Sequence, residues 1–192
     1  NYLLSKNYLD DNSPKLSELL DFAALGTVAD AVSLACPVNR AVVRAGLSII
    51  NKNKRPSWRA MKRILNRGDG ELFEVDDLGF QIGPRINARS RMTEPFAALR
   101  YLLAENDEIS YKELFSLNEN NNERKLKEQQ MLIKADAEAL KQIALGYKAL
   151  IIFDKDFHPG VQGIVASRLV DKFGRPAVVF SPMGEDKCSG SA

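Results

Sequence analysis

Over the first two thirds of the chain, apolar positions recur at helical spacing; near its end they gather into two short continuous runs. Ser13 and Pro14 read as an N-cap and first helical residue, opening a helix through about Leu25 that Gly26 is expected to terminate. Asn39 reads as the cap of a second helix whose Val42, Val43, Leu47 and Ile50 share a face. After a polar, basic loop at residues 51–56, Ser57 starts a third, with Trp58, Met61, Ile64 and Leu65 in register. That register makes Trp58 a packing residue rather than a base-stacking platform. A one-turn element is expected from Asp76 or Asp77 to Ile82, and Thr93-Glu94-Pro95 opens a helix carrying Ala97, Ala98, Leu102 and Leu103. Residues 111–144 have no Gly or Pro and only sparse apolar positions, the pattern of a long polar helix bridging two bodies, interrupted in propensity by the Asn-rich run 118–122.

The last block differs. Residues 149–153 form a short buried strand, residues 161–173 an amphipathic helix with Gly174 as its C-cap, and residues 176–180 a second strand. Strand, helix, strand in this order predicts a parallel βαβ unit. The expected fold class is α/β: mainly helical at first, then a long connecting helix, then the start of an α/β domain. Domain boundaries are expected at residues 1–106, 107–146 and 147–192.

Composition narrows the class. With 192 residues and 45% apolar content the chain suits one large or two small globular domains. It contains no apolar run of membrane-spanning length and no signal-peptide pattern at its start. Cys36 and Cys188 are isolated, which suggests neither a zinc site nor a disulfide framework and fits a reducing cytoplasm. The single His158 rules out a metal site of several histidines within these residues. A formal net charge of +2 says little, but its distribution says more. No Asp or Glu occurs from Ala31 to Gly68, where Arg40, Arg44, Lys52, Lys54, Arg55, Arg59, Lys62, Arg63 and Arg67 lie. This is either the footprint of a polyanion partner or a face balanced in space by acids from elsewhere.

Three positions carry candidate chemistry. Asp30 lies at the rim of the apolar run 19–30, where a buried carboxylate would need a partner or a metal; otherwise it caps a helix suggested by residues 32–34 or sits in a turn. Gly83-Pro84 predicts a turn, followed by a loop with Arg85, Asn87, Arg89 and Arg91, whose guanidinium forks suit phosphate oxygens or surface ion pairs. His158 directly precedes the last helix, where free backbone N–H groups attract anions; a plain loop hydrogen bond is the other reading.

Four separated pieces, taken in order, resemble the RecJ-type single-strand-specific exonucleases of the DHH phosphoesterase superfamily. Residues 21–30, ending A-L-G-T-V-A-D, are similar to the fourth phosphoesterase motif. Residues 78–91 resemble D-L-G-F-x-x-G-P-R-x-N-A-x-G-R, though Ala88-Arg89-Ser90-Arg91 is bulkier than the family's loop. Asn121, Arg124 and Lys125 resemble the N-x-x-R-K of the connecting helix. Residues 157–169 resemble the opening of the DHH-associated domain, with Pro159 in place of a usual polar residue.

The resemblance implies an internal fragment: the later part of the catalytic domain, the connecting helix and the start of the associated nucleic-acid-binding domain. It implies a 5′→3′ exonuclease of DNA repair and recombination that hydrolyses phosphodiesters with two Mn2+ or Mg2+ ions. Single-stranded DNA would thread a basic channel, with a single-strand-binding protein as a possible partner. Asp30 matches a metal ligand, the remaining ligand motifs preceding Asn1, so the fragment alone is expected to be inactive. Arg85, Asn87 and Arg91 match the loop facing nucleic acid, with Arg85 offsetting charge at the cut phosphate, and His158 matches a position near the strand. Gly190 and Ser191 match the first residues of a G-S-x-R-S stretch that binds the terminal 5′-phosphate, its Arg falling just past Ala192. The alternatives are a phosphodiesterase of short oligonucleotides or cyclic dinucleotides, and a non-catalytic nucleic-acid-binding relative.

Overall fold

The computed structural model describes residues 6, 15–90, 96–184 and 186–192, without the side chains of 88–90. Two compact units share the described residues, one within 15–90 and 96–117 and the other within 118–184 and 186–192.

The first unit is helical. A 3-10 turn, Leu16–Leu19, leads into α1, Leu20–Ala29. The cap expected at Ser13 and Pro14 lies outside the described residues. Gly26 does not end α1: the helix runs on for three residues, with the Thr27 hydroxyl donating to the Ala23 carbonyl at 2.7 Å. α2, Pro37–Ile50, opens on Pro37 with Cys36 as N-cap, so Asn39 is an interior residue; its amide reaches back to the Ser33 carbonyl. α1 and α2 cross almost backbone to backbone: a Cβ on Gly46 would stand 2.3 Å from both Ala24 Cβ and the Leu20 carbonyl oxygen. Only glycine permits that approach.

α3, Pro56–Ile64, brings Trp58 and Met61 fully inside, the packing role expected of Trp58. The buried carboxylate of α1 is Asp21 rather than Asp30. Asp21 is wholly enclosed and accepts from Arg55 Nε at 2.7 Å, Trp58 Nε1 at 2.9 Å and the Phe22 N–H at 2.9 Å, tying α1 to the start of α3. The Asn51 amide pairs with both backbone groups of Phe73, at 3.0 and 2.7 Å, and pins the extended segment before a six-residue π-helical stretch, Asp77–Ile82.

The turn expected at Gly83-Pro84 is instead helical: the π-helical stretch passes without a break into α4, Gly83–Ser90. A residue before proline avoids helical angles through clashes of the ring with its backbone N–H and its Cβ; Gly83 lacks the Cβ and sits at φ −51°, ψ −51°. Pro84 therefore lies inside a continuous helical run, directly after the π-helical stretch. The short α5, Ala97–Leu102, buries Ala97 and Tyr101. α6, Asp107–Ala144, is unbroken through the Asn-rich run, where Asn121 is buried and accepts from Arg124 at 3.3 Å.

In the second unit β1, Leu150–Phe153, pairs parallel with β2, Ala177–Pro182, across α7, Gln162–Phe173, as the βαβ pattern predicts. Gly174 closes α7 at φ 61°, the left-handed conformation that suits glycine. A third strand, β3, Cys188–Ser191, runs antiparallel to β2, giving the order β1-β2-β3. Val161, Val165, Ala166 and Leu169 pack with Leu150, Ile152, Ala177 and Val179, and Met131, Ala135 and Ala139 of α6 complete this core. The outer edge of β1 is sealed by Gln142, whose amide accepts from Ile151 N at 3.0 Å and donates to Ile151 O at 2.8 Å. No described helix is long and apolar enough to cross a membrane.

Candidate functional site

The acid-free interval is partly consumed by the fold. Arg55 pairs with Asp21, Arg59 with Asp107 at 2.8 Å and Arg67 with Asp77, while Arg40 donates to the carbonyls of Leu34 and Ala35. Arg63 lies over the Tyr111 ring, 4.1 Å from its centroid. Acids from outside the run thus take up three of its nine cations. The exposed side chains of Arg44, Lys52 and Lys54 make no hydrogen bond or ion pair among the described residues.

Asp30 sits in a turn, at the C-cap of α1, and residues 32–34 form no helix. Its N–H bonds Gly26 O at 3.0 Å; the next two N–H groups, of Ala31 and Val32, return to Val28 O and Thr27 O, both at 3.0 Å. This is the paired 5→2 and 6→1 closure of a Schellman turn, and it drives Ala31 to φ 53°. Glycine normally takes that position, so the alanine stores strain beside the carboxylate. Ala31→Gly is expected to stabilise the first unit by about 1 kcal/mol, read as a rise in melting temperature.

The Asp30 carboxylate is exposed, with no hydrogen bond or ion pair among the described residues. Its neighbourhood is defined by Gly83, whose Cβ, if present, would stand 3.2 Å from Ala29 Cβ and 3.0 Å from the Leu78 carbonyl oxygen. The end of α1 therefore abuts the start of α4, with Asp30 the residue after Ala29 and Arg85 two residues after Gly83 along the chain. Arg85 is half-buried and donates to the Gln81 carbonyl; burial pushes its guanidinium below the usual arginine range. Asn87 is exposed on the same short helix. Arg91 lies outside the described residues. Among the described residues no group of three or more His, Cys, Asp or Glu gathers as a complete metal site would.

In the second unit His158 precedes the first turn of α7. Its Nδ1 accepts the Gly160 N–H at 3.1 Å, which places the neutral ring's proton on Nε2. The ring lines a cleft of about 270 Å³ with Lys127, Lys134, Lys155 and Asp156. Burial, then the Lys127 ammonium, holds its pKa below 6.5, against an opposing pull from Glu123. The folded state therefore favours neutral imidazole. The stabilisation is complete above the unfolded value and is lost as pH falls through the lowered one. Lys127→Met is expected to move the midpoint up toward 6.5, because it removes a cation and releases Glu123 from its 2.7 Å pair. His158 is the only histidine, so its ring resonances report this without ambiguity in an NMR titration.

Gly190 and Ser191 lie on β3, a strand with no signal in a run of small residues. Gly190 faces the Phe180 ring, where a Cβ would come within 2.6 Å of two ring carbons. Ser189 and Ser191 lie toward α7, Ser191 against Gly163 and Ser189 near Gln162. Ser189 carries in sequence only a weaker register of the G-S-x-R-S stretch, Ser189-Gly190-Ser191, and Gln162 carries no signal, because their meeting depends on how strand and helix pack.

The helical body and the βαβ unit that a long helix joins to it are similar, in sequence and in fold, to part of the single-strand-specific exonucleases. More particularly, the chain is of the RecJ type. It is 35% identical to the single-stranded-DNA-specific exonuclease RecJ of Salmonella typhimurium across 99% of this chain and 34% of that protein. RecJ of Bacillus subtilis shares 35% identity across 91% and 22%. RecJ of Thermus thermophilus, solved in complex with Mg2+, superposes with a TM-score of 0.74 at 33% identity, across 88% of this chain and 26% of that one. An exonuclease RecJ structure bound to manganese gives 0.73 at 34% identity, across 88% and 41%. No protein-family model matches the chain. The chain spans about a third of the length of the Salmonella relative.

Proposed function

We propose that this chain is part of an exonuclease that removes nucleotides from single-stranded DNA in the 5′→3′ direction, serving DNA repair and recombination. The observation that carries the reading is that Asp30, exposed and unpartnered among the described residues, directly follows Ala29, where α1 touches the start of the Arg85 helix. An exposed carboxylate with both oxygens available suits one corner of a Mn2+ or Mg2+ site, and the rest of that site would come from outside these residues. When bound, a two-ion centre supplies an activated water and a clamp on the scissile phosphate.

The chain's own groups have separate tasks. Asp30 holds a ligand position. The Arg85 guanidinium, already partly desolvated, offsets charge on a phosphate oxygen, and Asn87, with Arg91, lies beside the same strand. His158, neutral at physiological pH, offers its Nε2–H to the strand as a donor without adding charge. The Gly190 backbone and Ser191 hydroxyl meet a terminal 5′-phosphate. Residues 1–106 come from the catalytic domain, residues 107–146 connect, and residues 147–192 open the associated domain. A single-strand-binding protein is a proposed partner of the longer protein.

Two measurements test this. The 192-residue chain with manganese is expected to leave single-stranded DNA intact, since one carboxylate cannot hold two divalent ions. The full-length protein is expected to degrade it and to bind it with a steep salt dependence, a slope of about 0.7 for each phosphate neutralised. Turnover by the short chain, or a flat salt response by the long one, overturns the reading.

A further inference from the structure

The first turn of α7 meets the β2–β3 pair through a set of polar groups whose protons can be counted. Ser181 on β2 is fully buried and donates its hydroxyl to Gln162 Oε1 at 2.7 Å. That bond fixes the amide, turning Nε2 toward β3, where it lies 3.5 Å from Ser189 Oγ. Ser181 Oγ is also 3.5 Å from Ser189 Oγ. One residue on, Gly163 leaves room for Ser191: a Cβ there would stand 2.9 Å from the Ser191 hydroxyl oxygen.

We propose that Gln162 is a positioning residue for the terminal-phosphate contact, setting the Ser189 hydroxyl as a donor on the face of β3 that also carries Ser191. This rests on the reading of Gly190 and Ser191 as phosphate contacts. Ser181 has one hydroxyl proton, and Gln162 Oε1 takes it. Gln162 Nε2 then presents a proton to Ser189 Oγ, so the proton of Ser189 itself is the one left to give. With no ligand, the Ser181 oxygen is its nearby acceptor. A phosphate oxygen, being charged, is the stronger acceptor and draws that proton away. Gly163 acts on the neighbouring serine by shape, since any side chain there would push the Ser191 hydroxyl off its place.

The test uses the full-length protein and two substrates, single-stranded DNA with a 5′-phosphate and the same strand with a 5′-hydroxyl. Gln162→Met removes both amide contacts but strands the buried Ser181 hydroxyl. Gln162→Met with Ser181→Ala removes the stranded group as well and is expected to melt near the wild type. Both variants are expected to raise KM about tenfold for the 5′-phosphorylated strand, the loss of roughly one charge-assisted hydrogen bond, with kcat and the 5′-hydroxyl KM unchanged. If the double variant recovers the phosphate preference along with its stability, the contact is only structural and the proposal is overturned. Ser191→Ala separates the two layers. If it abolishes the preference while Gln162→Met leaves it intact, the role of Gln162 falls alone. If Ser191→Ala keeps the full preference, or the wild type shows none, the phosphate reading of β3 falls and takes this proposal with it.

Discussion

Asp30→Asn in the full-length protein is expected to lower nuclease turnover by at least about 100-fold, because disturbing even the groups that merely orient a metal's ligands costs about 10- to 100-fold. Asparagine keeps the size and one oxygen but loses the charge that a divalent ion requires. The same change is expected to leave folding stability within about 0.5 kcal/mol. The carboxylate is exposed and makes no described side-chain contact, and the turn that holds it is built from backbone hydrogen bonds. Large loss of turnover with an unmoved melting curve is the signature of a ligand. Turnover within twofold of wild type under manganese would sink the assignment of Asp30.

Asp21→Ala is expected to do the reverse, costing the first unit about 3 kcal/mol. The carboxylate is wholly enclosed and accepts three hydrogen bonds, from Arg55, Trp58 and its own neighbour's N–H. Removing it leaves the indole N–H of Trp58 without a partner inside the core, and opens a void where α1 meets α3. Arg55 is about one-third exposed, so water recovers part of its loss, and the figure is set by the buried donors more than by the ion pair. Urea unfolding of the chain measures it. Trp58→Phe supplies the check, since it deletes the donor while keeping an aromatic body. The Asp21–Trp58 double-mutant cycle is expected to show a coupling of about 1 kcal/mol. Additive effects would mean that Asp21 acts through Arg55 alone.

These two aspartates show what is legible in a single sequence. An acid in an apolar helix needs a partner, and that rule holds; the periodicity does not say which acid is inside. Asp21 falls on the face that meets Trp58, and Asp30 falls in the turn beyond the last helical residue. Gly26 read as a stop, yet Thr27 bonds back to Ala23 and the helix ends instead on the rarer left-handed alanine. Gly83-Pro84 read as a turn for sound local reasons. Those reasons lapse when the residue before proline has no Cβ and when its lack of a side chain lets two segments touch.

The cationic interval is a similar case. Its one-sidedness along the chain is real, but Asp21, Asp77 and Asp107 return to it in space and take up Arg55, Arg67 and Arg59. Linear charge runs do not record such returns, because ion pairs are set by packing between elements far apart in sequence.

By itself the sequence determined most of the helices, the two strands of the parallel βαβ unit, the packing role of Trp58, and the motifs that mark a RecJ-type chain. All of these depend on residues near one another along the chain, through periodicity, capping and spacing. Only the tertiary structure decided which acid is buried, that the Gly83–Ser90 segment is a helix, that residues 188–191 form a third strand, and that Gln162 meets the serines of β2 and β3. Each of those outcomes turns on contacts between distant segments, where steric room and the pairing of buried polar groups outweigh local preference.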